Sequence, residues 1–176
     1  MNEKKNRKIA IGADHAGFEL KEYLKEYLKS KNIEVVNFGC NSTEPVGYPE
    51  FAFAVSKYIS DEIKKCYRLK DEIRIAVEDE TYFCHGFTDK GILICGSGSG
   101  MCITANKVAE IRAVNCYNSE IASLAVQHND ANILCLGARF INKELAKEIV
   151  DTFLEAEFEG GRHLKRVFNI HYLTER

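Results

Sequence analysis

The order of apolar segments along the chain restricts the possible folds more than any other feature of the sequence. Apolar segments of strand length at residues 8–13, 33–38 and 91–95 are each followed by a longer segment with charged residues at intervals. Shorter strands are predicted at 112–116 and 132–136. Strands that alternate with helices form a parallel sheet with helices packed on both faces. The sequence therefore predicts an α/β fold.

Helices are predicted wherever apolar residues recur at helical spacing between the strands. Leu20, Leu24 and Leu28 mark the first helix. Further helices are predicted at residues 51–63, 100–109, 119–127 and 143–155. The basic C-terminal tail is predicted to be helical as well. Between residues 64 and 90 the alternation breaks, and we predict an inserted hairpin or arm near 66–90.

Composition limits the classes of protein that this chain can belong to. At 176 residues, residues 1–176 are predicted to form a single domain. Apolar residues make up 45% and charged residues 28%, as in ordinary globular proteins. The net charge of −2 gives no reason to expect a nucleic-acid or membrane surface. No apolar run reaches the length of a membrane span or a signal peptide, so we expect a cytoplasmic protein.

The seven cysteines are an odd number, and none of them form a C-x-x-C pair. This pattern argues against a structural zinc site and against a complete set of disulfides. We predict free thiols in a reducing compartment, and no bound metal.

The segment after the third predicted strand has the most unusual composition of the chain. GILICGSGSGM places Cys95 directly before alternating glycine and serine residues. Glycines at the start of a helix let backbone N–H groups converge on an anion. A thiol at the same place is stabilised as thiolate. Cys95 is therefore a candidate reactive cysteine, although a free cysteine is also often just a small buried residue.

The glycines match neither of two nucleotide-binding patterns. The dinucleotide pattern G-x-G-x-x-G follows the first strand, whereas here G-x-G-x-G follows the third. Gly12 and Gly17 have the spacing of a phosphate loop, but Phe18-Glu19 stands where Lys-Ser or Lys-Thr is required. Nucleotide binding is therefore not favoured.

Two groups of polar residues are further candidates. Asp14-His15 follows the first strand, and His128-Asn129 precedes the fifth. They are candidates for one shared acid–base or phosphate site at one sheet edge, with turn and cap chemistry as the alternative. Arg162 and Arg166 lie four residues apart, so on a helix they form either a phosphate clamp or a solvated basic face.

Six segments of the sequence resemble those of a known family. The segments IGADHAGFELK, YPEFA, GILICGSGSGMCITANK, IRAV, HNDANILCLGAR and EGGRHLKRV occur in this order. Together they are similar to type B ribose-5-phosphate isomerases, in the family that also contains galactose-6-phosphate isomerase. The resemblance implies a Rossmann-like three-layer sandwich with a five-stranded parallel sheet. It also implies metal-independent and cofactor-independent aldose–ketose isomerisation, and a homodimer with the active site at the subunit interface, with a tetramer left open.

The resemblance also implies roles for individual residues. Cys95 matches the catalytic base of the thiol-containing branch, and His128 matches the residue that opens the sugar ring. Ser97 is a candidate for proton relay between O1 and O2 of the enediolate. The positions that match substrate contacts are Asp14, His15, Tyr48, Gly96, Gly98, Ser99, Gly100, Asn129, Arg139, Arg162 and Arg166.

Two departures from the family pattern leave the substrate open. Gly47 stands before Tyr48-Pro49 where the family usually has aspartate, so a contact with a sugar hydroxyl is expected to be missing. The predicted insertion near 66–90 is also atypical. A six-carbon substrate, allose 6-phosphate or galactose 6-phosphate, is the first alternative to ribose 5-phosphate, and a non-catalytic sugar-phosphate-binding protein is the second.

Overall fold

The computed structural model describes residues 8–72 and 89–174. Five strands form one sheet in which every neighbouring pair is parallel, in the order β2-β1-β3-β5-β4. The strands are β1 (Lys8–Ala13), β2 (Glu34–Asn37), β3 (Lys90–Cys95), β4 (Ala113–Asn115) and β5 (Ile133–Gly137). The predicted five-stranded parallel sheet is confirmed.

Six α-helices follow the strands among the described residues. They are α1 (Phe18–Ser30), α2 (Pro49–Glu72), α3 (Ser99–Ala105), α4 (Ser119–Asn129), α5 (Lys143–Glu155) and α6 (Leu164–Thr174). Short 3-10 turns at His15–Gly17 and Gly161–His163 precede α1 and α6. The C-terminal tail is therefore helical, as predicted.

Two helix boundaries differ from the sequence prediction. Helix α3 ends at Ala105, where 109 was predicted, because the side-chain amide of Asn106 donates to the carbonyl oxygens of Cys102 and Ala113. Helix α2 continues to Glu72 because the residues after 63 are mostly good helix formers. The alternation therefore breaks later than residue 64. Of the insertion predicted near 66–90, residues 73–88 lie outside the described residues.

The core lies in two layers, one on each face of the sheet. One layer packs α1, α4 and α5 against Ile11, Ile94 and Leu134. The other packs α2 and α3 against Leu93 and Cys135. Each fully buried aliphatic side chain contributes about 1.5–3 kcal/mol to the free energy of folding. The helices packed on both faces of the sheet therefore hold the strand ends rigidly in place.

The chain reverses direction across the sheet between β1 and β3. After β1 it moves to β2 at one side, and it then crosses back to β3 on the other side. Ala13 lies beside Ile94, and the N–H of Asp14 donates to the oxygen of Ile94 at 3.3 Å. In open parallel sheets ligands bind outside the carboxyl ends of the strands at this reversal. The fold thus places Asp14 and Cys95 side by side at the expected binding position.

None of the helices in the described part of the chain combines the length and the apolar character that a membrane span requires.

Candidate active site

Cys95 ends β3, and its sulfur faces the glycine-serine loop. The N–H of Gly98 donates a hydrogen bond of 3.1 Å to Sγ of Cys95, whose side chain is buried. Gly98 has φ +78°, a left-handed conformation that glycine adopts without strain. A Cβ there would lie 2.2 Å from Oδ1 of Asn115, so only glycine fits. The loop thus holds a backbone donor on the thiol, as the sequence predicted.

Asp14 and His15 lie at the same edge of the sheet, and both side chains contact backbone atoms of the protein. Oδ1 of Asp14 accepts from the N–H of Gly17 at 3.1 Å and so caps the 3-10 turn. Nδ1 of His15 lies 3.2 Å from both N and O of Val46. Asp14 therefore carries the capping role that was the alternative in the sequence analysis, and the ring of His15 is fixed against the loop before Tyr48.

Tyr48 and Arg139 close over the loop from two sides. The Tyr48 ring covers Gly100, where a Cβ would approach Cζ of Tyr48 to 2.6 Å. The Arg139 guanidinium lies over Gly96, 3.2 Å from the position of a Cβ. The N–H of Arg139 also donates to the oxygen of Gly96 at 3.1 Å. An aromatic ring and a cation therefore border the loop that follows Cys95.

Ser97 and Ser99 lie between these groups, and Ser99 begins α3. Oγ of Ser97 accepts from the N–H of Ser99 at 3.4 Å, and Ser97 is partly exposed. The hydroxyl of Ser97 is therefore placed at the surface of the loop that follows Cys95.

Two residues of this site were missed from the sequence. Nδ2 of Asn115 donates to the oxygen of Ser97 at 3.1 Å, and the Tyr117 hydroxyl donates to the same oxygen at 3.1 Å. Oδ1 of Asn115 is buried and has no hydrogen-bond partner among the described residues. Asn115 ends β4 and Tyr117 follows it, and this place at the binding edge of the sheet is the signal that would have identified them.

A second thiol, that of Cys102, lies one turn into α3, and its pKa is lowered. The hydrogen bond with Cys135 is the main cause that lowers the pKa of Cys102 to about 7, and the backbone of Asn115 adds to it. Burial raises the pKa of Cys116 to about 12 and that of Cys135 well above its usual value. The prediction of free thiols is confirmed for the described cysteines, which are Cys40, Cys95, Cys102, Cys116 and Cys135.

His128 belongs to a second polar cluster, with Glu159 and His163. The imidazole rings of His128 and His163 are stacked, with centroids 4.3 Å apart and an interplanar angle of 5°. Oε2 of Glu159 lies 3.8 Å from Nε2 of each histidine. Burial lowers the pKa of His163, and the neighbouring charges of His128, Arg162 and Arg166 add to this effect.

The remaining predicted contacts lie around this second cluster. Nε of Arg162 donates to Nε2 of His163 at 3.2 Å. Arg166 is exposed one turn further along, in α6. Asn129 is the exposed last residue of α4, next to His128. The three residues therefore accompany His128 and not Cys95.

The two clusters lie at opposite edges of the sheet within one chain. Cys95 pairs with Gly137 at the end of β5, whereas His128 precedes Ile133, which pairs with Gly91 at the start of β3. Helix α4 leads from the carboxyl edge back to the amino edge over 11 residues, which is about 16 Å. The expectation that both histidine groups reach one edge is therefore wrong for a single chain. The reason is that a residue before a parallel strand lies at the edge opposite to a residue after one.

Comparisons with known proteins identify the family. The family model described as Ribose/Galactose Isomerase matches residues 9–68 and 73–170. The chain belongs to this family. Ribose-5-phosphate isomerase B of Escherichia coli (strain K12) is 41% identical to this chain over 170 residues, covering 97% of this chain and 98% of that protein. D-erythrulose-4-phosphate isomerase of Pectobacterium atrosepticum is 39% identical over 166 residues, covering 93% of each chain.

A solved structure agrees with this family assignment. Ribose-5-phosphate isomerase B from Mycoplasma genitalium with bound ribulose-5-phosphate has a TM-score of 0.76 and 38% identity, and covers 96% of this chain and 97% of that chain. The family match is interrupted only at residues 69–72, at the end of α2. Within residues 9–170 of this chain, the part that the family model does not match is thus shorter than the insertion predicted near 66–90.

Proposed function

We propose that this protein is a cytoplasmic enzyme that interconverts ribose 5-phosphate and ribulose 5-phosphate by a reaction that uses no metal or cofactor. The observation that carries the proposal is the hydrogen bond from the N–H of Gly98 to Sγ of Cys95 at the reversal point of the sheet. The E. coli relative and the ligand-bound M. genitalium structure support the choice of substrate. A thiol next to a backbone N–H donor suits chemistry through an oxyanion.

The reaction moves a proton between C2 and C1 of the open-chain sugar phosphate. The Cys95 thiolate takes the C2 proton, and the electron pair of that C–H bond forms the C1–C2 double bond while the carbonyl electrons move to oxygen. The N–H groups of Gly96–Gly100 face the charge that develops on the enediolate oxygens. Ser97 transfers a proton between O1 and O2, and the thiol returns its proton to C1.

We propose a homodimer in which the His128 cluster of one copy faces the Cys95 loop of the other, with a tetramer as a possible higher assembly. The support is the placement of the two clusters at opposite edges of one chain, since a two-fold dimer brings unlike edges together. Exposed apolar side chains surround the loop: Phe140 is 68% exposed and packs edge-on against Tyr117, which is 42% exposed. Exposed apolar patches of this kind mark protein interfaces.

In this arrangement His128 opens the furanose ring and Asn129 contacts the sugar. Arg162 and Arg166 of that copy, with Arg139 of the other, hold the phosphate. Guanidinium groups suit this role because they form paired hydrogen bonds with phosphate oxygens. Fixing the phosphate keeps C1 and C2 within reach of the sulfur.

Replacing Arg166 with alanine is expected to raise KM for ribose 5-phosphate by about 10–150-fold, from the loss of about 1.5–3 kcal/mol for one charge-assisted hydrogen bond. Initial-rate kinetics across a substrate series measures this. Lys165→Ala, which removes an exposed neighbouring cation, is the matched control and should leave KM nearly unchanged. Equal KM values for both variants would remove Arg166 from the phosphate site.

Replacing His128 with asparagine is expected to slow turnover of cyclic ribose 5-phosphate by about 10²–10⁴-fold, because ring opening needs a proton donor and acceptor. An open-chain analogue that cannot cyclise should lose much less. The ratio of the two rates, measured with one enzyme preparation, is the readout. Equal losses on both substrates would contradict a role in ring opening.

The loop around Gly47 bears on the length of the substrate. At Gly47, where a family aspartate is usual, Oε2 of Glu50 lies 3.0 Å from the position of a Cβ, so a carboxylate is present at this corner. We infer that this carboxylate contacts a sugar hydroxyl in place of the aspartate. The Pectobacterium relative is named for a four-carbon sugar phosphate, so substrates of other lengths belong in the test.

A coupled assay with ribose 5-phosphate, allose 6-phosphate, galactose 6-phosphate and erythrulose 4-phosphate tests the function. The highest kcat/KM is expected with ribose 5-phosphate. A higher value with another sugar phosphate would reassign the substrate, and binding without any turnover would make this a non-catalytic binding protein. Glu50→Gln should lower kcat/KM for the preferred substrate if its carboxylate contacts a hydroxyl.

A further inference from the structure

The three side chains of the second cluster form the donor set of a zinc site. One donor atom each from His128, Glu159 and His163 lies within 4.8 Å of the other two, and the two histidine–glutamate distances are 3.8 Å. Two imidazoles and one carboxylate, with a fourth position left to water, are a common set for zinc. We propose that His128, Glu159 and His163 bind one zinc ion in each chain.

The distances require only a small contraction. Zinc binds imidazole nitrogen at about 2.0–2.1 Å and carboxylate oxygen at about 2.0–2.2 Å, so donors on one tetrahedral ion lie about 3.4 Å apart. The His163 side chain is 6% exposed and serves as a fixed anchor. The side chains of His128 and Glu159 are 35% and 51% exposed and are free to move toward it. The parallel rings need a tilt of His128 to direct both lone pairs at one ion.

The backbone holds the donors together before any ion binds. The N–H of Glu159 donates to the oxygen of Gln127 at 3.0 Å, which ties the segment to the end of α4 beside His128. Gly160 and Gly161 both have left-handed φ angles, of +63° and +50°. They turn the chain so that His163 lies back over Glu159. A site assembled in advance loses less entropy on binding.

Arg162 opposes the ion. Its Nε donates to Nε2 of His163 at 3.2 Å, the atom that zinc needs as a ligand. The guanidinium therefore has to leave that nitrogen, and its charge repels a dication. We expect reversible binding that is weaker than at a structural zinc site, and stronger binding in an Arg162→Ala variant.

An occupied site takes the free electron pair of His128 out of acid–base chemistry. Zinc should therefore inhibit the isomerase, a consequence that rests on the proposed ring-opening role of His128. The binding itself does not rest on it. The two statements are separable because binding is measured without turnover.

The test is a zinc titration of the purified full-length protein, made metal-free, in competition with a chromogenic chelator. We expect one ion per chain, with affinity at least about tenfold lower in Glu159→Gln and in His163→Asn. Glu157→Gln, an exposed neighbour outside the cluster, should bind as the unmodified protein does. Since Glu159 is exposed, its variant should fold even if the His163 variant does not.

The cysteines compete for zinc, so the ligand type has to be read directly. With Co²⁺ as the probe, ligation by histidine and carboxylate gives weak visible bands without the intense thiolate charge-transfer band. Such a spectrum, together with relief of zinc inhibition in Glu159→Gln, supports the proposal. Unchanged affinity in Glu159→Gln, or a thiolate band at the first equivalent, overturns it. An inactive protein that still binds zinc in this way would refute the isomerase function alone.

Discussion

Replacing Cys95 with alanine is expected to lower kcat for ribose 5-phosphate by about 10²–10⁴-fold, the usual contribution of a positioned proton-transfer group. The sulfur accepts the N–H of Gly98 in the folded protein, so the loop already places a donor next to the reacting atoms. The variant should keep its fold and its affinity for sugar phosphate, since the phosphate contacts lie elsewhere. Coupled-assay kinetics and direct binding of ribulose 5-phosphate measure the two effects separately.

Cys102→Ala is the matched control for that experiment. Cys102 is partly exposed and its pKa is lowered to about 7, so we expect it to be alkylated near neutral pH. Its removal should leave kcat almost unchanged, and the variant should still be inactivated by alkylation. Ordinary turnover by Cys95→Ala would exclude the Cys95 sulfur from the mechanism. Loss of activity in Cys102→Ala would indicate that Cys102, and not Cys95, is the base.

Mixed dimers of two inactive variants are expected to recover about half of the activity of the unmodified dimer. Cys95 and His128 lie at opposite edges of one chain, so each site of the proposed dimer takes Cys95 from one copy and His128 from the other. Pairing a Cys95→Ala copy with a His128→Asn copy leaves one of the two sites intact. Co-expression with two different affinity tags, followed by purification on both, isolates these mixed dimers for assay.

The control carries both substitutions on one copy, paired with an unmodified copy. Each of its sites then lacks one group, so this dimer should be nearly inactive. If instead each chain forms a complete site alone, the outcome reverses: the doubly substituted pair keeps half of the activity and the first pair stays inactive. The two dimers contain the same substitutions, so differences in folding cannot explain opposite results.

Local patterns were sufficient for the sheet and for the loop on Cys95. Strand and helix periods of the apolar residues depend only on neighbours in sequence, and they located all five strands to within a few residues. The structure explains the glycine at position 98: its φ angle is left-handed, and a Cβ there would collide with the Asn115 side chain. Helix ends were less well predicted, since α3 ends on a contact between Asn106 and Ala113.

The sequence by itself determined an α/β protein with a thiol directly before a glycine-rich loop at the end of its third strand, because these features are set by residues adjacent in the chain. Only the tertiary structure decided which distant residues meet. It placed Asn115 and Tyr117 on the loop through the position of β4, and it moved His128 to the opposite edge because α4 runs back across the sheet. It also brought Glu159 and His163 to His128 through a turn whose course no local pattern specifies.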